Sequence, residues 1–132
     1  MSLDEEKRAL VVRMEIEKAY RTMGEAEYLI KADQWSGAAG RVYYALFHAV
    51  NALLIHDGHR IKSHKGAYSQ FCLHYVATGI FPKHSGILYR QLEIMREESD
   101  YNCFYDVEPE ELQGRIAPVK EMIDTIAAMV KE

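Results

Sequence analysis

A chain of 132 residues is long enough to bury one sizeable core and short for two. Its 48% hydrophobic and 27% charged residues are ordinary for a globular protein, and sparse valine, threonine and glycine beside alanine, leucine, glutamate and lysine favour helix over sheet. The formal net charge of −4 excludes the global basic footprint of a dedicated duplex-DNA binder, while leaving room for a local basic patch on a phosphate backbone.

In chain order, apolar spacing predicts five helices. Val12, Ile16, Ala19, Met23, Ala26 and Ile30 alternate four- and three-residue steps, which draws one stripe on a first helix from about Asp4 to Lys31. Asp33, Gln34 and Trp35 break it. Ser36 is the expected N-cap of a second helix, from about Gly37 to His56, which Asp57-Gly58 ends. Ser63 is expected to cap a third helix through about Val76, stopped by Thr78-Gly79, with Phe81-Pro82 as an apolar corner. A fourth begins at His84 or Ser85, turns Ile87, Leu88, Leu92 and Met95 inward, and ends near Glu98. The linker SDYNCFYDVEP holds three aromatics and is expected to pack on the bundle. Asp106 is the expected cap of a last helix with Pro109 in its first turn and Leu112, Ile116, Val119, Ile123, Ile126 and Val130 on its stripe. Pro118 inside that stripe predicts a kink or a local break. The expectation is a single all-α domain over residues 1–132, an up-and-down antiparallel bundle of four to five helices.

No run of 18 or more apolar residues is present, so no membrane span is expected, and the acidic start MSLDEEKRAL does not suit a secretory signal. A cytoplasmic protein with two reduced thiols, Cys72 and Cys103, follows as the expectation.

The second helix contains the one unusual pattern. With each residue turning about 100°, Val42, Leu46, Ala49, Val50 and Leu53 cover one side, beside Tyr43, Phe47 and Leu54. Arg41, Ala45, His48 and Ala52 run along the other, flanked by Tyr44, Asn51 and Ile55. Small residues between polar ones suit the close approach of another helix, and in a two-fold homodimer the stripe would meet its own copy. Arg41 and His48 stand about 10 Å apart along the helix and could bracket one phosphodiester, the guanidinium for charge and the imidazole for proton transfer. Equally, each could do no more than hydrogen-bond a neighbouring carboxylate.

Two other groupings carry chemistry by type. Lys62, Ser63, His64 and Lys65, after Arg60, form a basic cluster at a helix start, where free N–H groups and the macrodipole could receive a phosphate; the alternative is a solvated connection with Ser63 as cap. His56-Asp57-Gly58-His59 matches no metal-binding spacing, so neither metal nor cofactor is expected. Arg96, Asp100 and Tyr101 read as a structural pair with a packed tyrosine.

The run AAGRVYYALFHAVNALLIHDGHRIKSHKG, followed at a distance by MREESDY, resembles the HEPN domain family (higher eukaryotes and prokaryotes nucleotide-binding) in its small stand-alone prokaryotic form, over about Ala19 to Ile126. The resemblance implies a helical bundle, a homodimer, and a minimal nucleotidyltransferase as protein partner in a toxin–antitoxin couple, with RNA or nucleotide as ligand. It also implies metal-independent ribonuclease chemistry through an arginine, four to six residues, and a histidine at a dimer cleft. Arg41 and His48, with six residues between them, match that motif, and Tyr44 and Asn51 would support the cleft. Val42 stands where active members typically carry a polar residue, and Val50 where one toxin subgroup has tyrosine. A non-cleaving module that binds nucleotide or protein therefore stays open.

Overall fold

The computed structural model describes residues 4–131. Its helices are α1 (Glu5–Lys31), α2 (Trp35–His56), α3 (His64–Phe71), α4 (Lys83–Tyr101) and α5 (Pro109–Met129), with a π-helical turn, Cys72–Val76, continuing α3. No strand occurs among the described residues, and the fold is the all-α bundle the sequence predicts.

Each boundary follows from local chemistry. Asp4 caps α1 by accepting the Lys7 N–H at 2.9 Å, and Glu5 and Glu6 complement the dipole in the first turn. Asp33, at φ 58°, makes the left-handed turn into α2. Gln34, not Ser36, is the cap residue of α2; the Ser36 hydroxyl instead accepts the Val107 N–H at 3.4 Å and ties down the α4–α5 linker. Ser63 caps α3 as expected, accepting the Gly66 N–H at 2.9 Å. A Cβ on Gly66 would come within 3.1 Å of the Ser63 hydroxyl oxygen, so the glycine keeps this cap tight.

The third helix reaches Val76 only by widening into the π turn, which is tied to the end of α2. There the Tyr75 hydroxyl donates to Asp57 at 2.5 Å, and His74 stacks on His59 at 3.8 Å. Helix α4 starts one turn earlier than its first apolar residues suggest and runs on to Tyr101. Leu88, Tyr89, Leu92 and Met95 face the core, but Ile87 does not: it is 57% exposed. In the linker only Tyr105 of the three aromatics packs, while Tyr101 and Phe104 project into solvent. The capping role expected of Asp106 falls to Glu108, whose N–H donates to the Glu111 carboxylate at 3.2 Å. Helix α5 continues through Pro118 without interruption.

Helix α2 is the axis of the bundle, packed against α1, α3, α4 and α5. By length and composition it is apolar enough to cross a bilayer, and here its apolar side chains build the core. Its alanines 38, 39, 45, 49 and 52 are fully buried. Ala45 and Ala52 thus do not line an open groove. The stripe they share with Arg41 and His48 faces α1, which runs antiparallel to α2 and meets it through the Arg41–Glu25 and His48–Glu15 pairs, with Ala19 and Ala26 of α1 fully buried as well.

Candidate functional site

The two polar residues of the stripe both meet carboxylates of α1. Arg41 Nη1 donates to Glu25 Oε1 at 3.2 Å in an ion pair about half exposed, which contributes little to stability. Its guanidinium also lies 5.6 Å from the Tyr44 ring centroid. His48 is different. Its Nδ1 lies 3.3 Å from Glu15 Oε2, and the two side chains retain only 17% and 20% of their exposure. Burial on its own would raise the Glu15 carboxyl, but the His48 hydrogen bond and charge, helped by Asn51 and Lys18, hold it below its ordinary value of 4.5. An ionised Glu15 fixes Nδ1–H as the donor and leaves Nε2 as the nitrogen for chemistry.

A second cluster adjoins the first across Phe47. His64, the first residue of α3, stacks on the Phe47 ring at 4.1 Å and 18°, and His48 meets the same ring at 5.5 Å and 65°. His64 Nδ1 is 3.0 Å from the Tyr43 hydroxyl. Burial pushes that hydroxyl well above its usual value, so Tyr43 stays protonated. Arg96 of α4 covers Tyr43 at 5.2 Å and Tyr44 at 5.8 Å and pairs with Asp100 at 3.4 Å. The tyrosines packed by Arg96 are therefore those of α2; Tyr101, expected in that role, is 81% exposed. Burial first, then Arg96 and His48, lower the His64 imidazole below 6.5 against the opposing pull of Glu93.

Beside this pair of histidines opens a cleft of about 670 Å³ between the start of α1, the second half of α2 and the α2–α3 connection. Phe47, Asn51 and His64 form part of its wall, and Arg8, Arg60 and Lys62 supply cationic groups. No carboxylate lines it among the described residues, although the whole chain is acidic.

Of the residues singled out from sequence, Arg41, Tyr44, His48 and Asn51 lie on α2 as expected, and Lys62, Ser63 and His64 line the adjoining cleft. Ser63 spends its hydroxyl on the cap, and Lys65 is exposed in the first turn of α3 without lining the cleft. Glu15 and Glu25 carry no motif signal; Tyr43 and Arg96 lie in the stretches that carry the resemblance, but their contacts with His64 and with each other depend on packing between distant segments. Among the described residues no three His, Cys, Asp or Glu side chains gather as a metal-binding group, and Cys72 and Cys103 are unbridged.

A model of the HEPN domain matches residues 12–129. The chain belongs to the HEPN domain family. The matched span is wider than the stretch that carries the resemblance, and includes both α1 carboxylates, Glu15 and Glu25. This HEPN domain is 29% identical over 115 residues to a Thermotoga maritima protein named "UPF0332 protein", an alignment covering 87% of each chain. It is 29% identical over 117 residues to a Methanocaldococcus jannaschii protein named "Putative toxin MJ0605", covering 89% of this chain and 87% of that one. A second protein of that organism, "Putative toxin MJ0142", is 26% identical over 98 residues, 74% of this chain and 67% of its own.

Proposed function

We propose that this HEPN domain is the toxin component of a toxin–antitoxin couple in the cytoplasm, and that it cleaves single-stranded RNA without a metal at the site built on Arg41 and His48. The observation that carries this reading is the His48–Glu15 pair at 3.3 Å beside a cleft lined by Arg8, Arg60 and Lys62. A carboxylate-held imidazole has one nitrogen fixed and the other available for proton transfer. Arg41 would release Glu25, to which it is only loosely held at the surface, and neutralise charge on the phosphate. Lys62, Arg60 and the start of α3 would hold neighbouring phosphates. Attack by a 2′-hydroxyl on its own phosphate forms the O2′–P bond and breaks the P–O5′ bond, leaving a 2′,3′-cyclic phosphate and a 5′-hydroxyl. The working form is proposed to be a homodimer that holds the strand between two copies, restrained by a minimal nucleotidyltransferase partner. The toxin names of two relatives support this reading.

A second reading has its own support. Arg41 and His48 are each paired with an α1 carboxylate, as they would be in a helical module that binds nucleotide or protein and does no chemistry. Expression in growing cells separates the two. Under the cleaving reading, wild type arrests growth and degrades cellular RNA, while Arg41→Ala, produced to the same level and folded, does neither. Growth arrest by both proteins alike, with intact RNA, would leave the binding module as the reading.

A further inference from the structure

His48 does not stand alone. Both imidazoles lie within 5.5 Å of the Phe47 ring centre, one against its face and the other near its edge. Each has its Nδ1 engaged by a partner on a packed helix, Glu15 on α1 for His48 and Tyr43 on α2 for His64. Each therefore keeps Nε2 as its remaining nitrogen. The partners differ in kind: a carboxylate neutralises an imidazolium, whereas a neutral phenol does not.

The groups facing His64 are Tyr43, Tyr44, Phe47 and His48 from α2 and Glu93 and Arg96 from α4. Arg96 is 12% exposed and lies over the tyrosine to which His64 is bonded. This surrounding favours the neutral ring. In the tautomer whose Nδ1–H donates to the Tyr43 oxygen, Nε2 carries the lone pair. His64 lines the cationic cleft and His48 adjoins it across the Phe47 ring, so two imidazoles held by unlike partners stand side by side, the arrangement that acid–base pairs use.

We propose that His64 is the second proton-transfer residue of this site, acting on a single-stranded RNA substrate. The assignment rests on the RNA-cleaving reading above. His64 Nε2 takes the proton of the 2′-hydroxyl as its oxygen bonds to phosphorus. The P–O5′ bond breaks with its electron pair on O5′, and His48, as the imidazolium, gives that oxygen a proton. The two histidines end with their protonation states exchanged, and no co-reactant is needed. The cyclic phosphate and 5′-hydroxyl account for every atom.

The test uses the whole chain, EDTA throughout, and an RNA oligonucleotide with one cleavable linkage, made either with oxygen or with sulfur as the bridging 5′ atom. A thiolate leaves without needing a proton. Expected on the oxygen linkage is a loss of about 10²-fold or more in kcat for His48→Ala and for His64→Ala. On the sulfur linkage His48→Ala recovers and His64→Ala does not. Added imidazole restores part of the His64→Ala rate, which a residue that only packs on Phe47 would not allow. Tyr43→Phe, which keeps the ring stack, moves the acidic limb of the pH–rate profile and serves where His64→Ala fails to fold. Wild type that cleaves, with His64→Ala and Tyr43→Phe cleaving as fast and with the same pH profile, overturns the assignment and spares the RNA-cleaving reading. Wild type that cleaves neither linkage overturns both.

Discussion

Single residues in this protein carry their meaning through partners far away in sequence. Arg41 and His48 were legible because helix periodicity puts residues seven apart on one face. Glu15, 33 positions before His48, was not, since no local rule brings two helices into register. The same holds for His64, which reads from sequence as part of a basic helix start, and only the fold lays it on Phe47. Its environment has a consequence for stability. The folded protein holds His64 below the ordinary 6.5, so the unfolded chain takes up a proton first, and its contribution is lost as pH falls below about 6.5. Thermal unfolding of wild type against His64→Gln should show this. The variant is expected to lose less stability than wild type between neutral and mildly acidic pH; parallel curves would refute the assigned environment. For Glu15 the window is lower: its depressed carboxyl supports the fold above about 4.5 and ceases to as pH drops further.

At the scale of elements, periodicity placed all five helices, and the misplacements share one cause. Ser36, Asp106 and Ile87 each satisfy a local rule, but a tertiary contact or a better neighbour overrides it. Ser36 bonds Val107 across 71 positions, Glu108 and Glu111 cap α5, and Tyr89 takes the inward place given to Ile87. The larger correction concerns the small-residue stripe of α2. Alanine permits close helix approach in either of two ways, within one chain or between copies, and sequence does not choose between them. Here α1 covers it. Ala45→Leu should therefore crowd the α1–α2 contact of the monomer and lower stability by about 1–3 kcal/mol, with effects on activity only through unfolding. Denaturant titration checks this. A variant as stable as wild type that has lost only self-association would return the stripe to an interface between copies.

At the scale of the molecule, an acidic HEPN domain concentrates cations in one cleft. Charge counted over the chain argues against nucleic acid; charge read cleft by cleft does not. This asymmetry was only partly legible, as Arg60 and Lys62 are neighbours in sequence but Arg8 joins them from the start of α1. If the cleft carries the strand, Arg60→Ala and Lys62→Ala should each weaken RNA binding and reduce the slope of log Kd on log salt by about 0.7 per lost phosphate contact. Fluorescence anisotropy with a catalytically dead His48→Ala background would read both. An unchanged slope would move the strand elsewhere. The most direct measurement of the central claim is the cleavage of a single-stranded RNA by the purified protein in EDTA, with the product ends identified. The account predicts 2′,3′-cyclic phosphate and 5′-hydroxyl ends, and a loss of about 10²-fold or more in rate for His48→Ala. Undiminished cleavage by folded His48→Ala, or no cleavage by wild type, would contradict it.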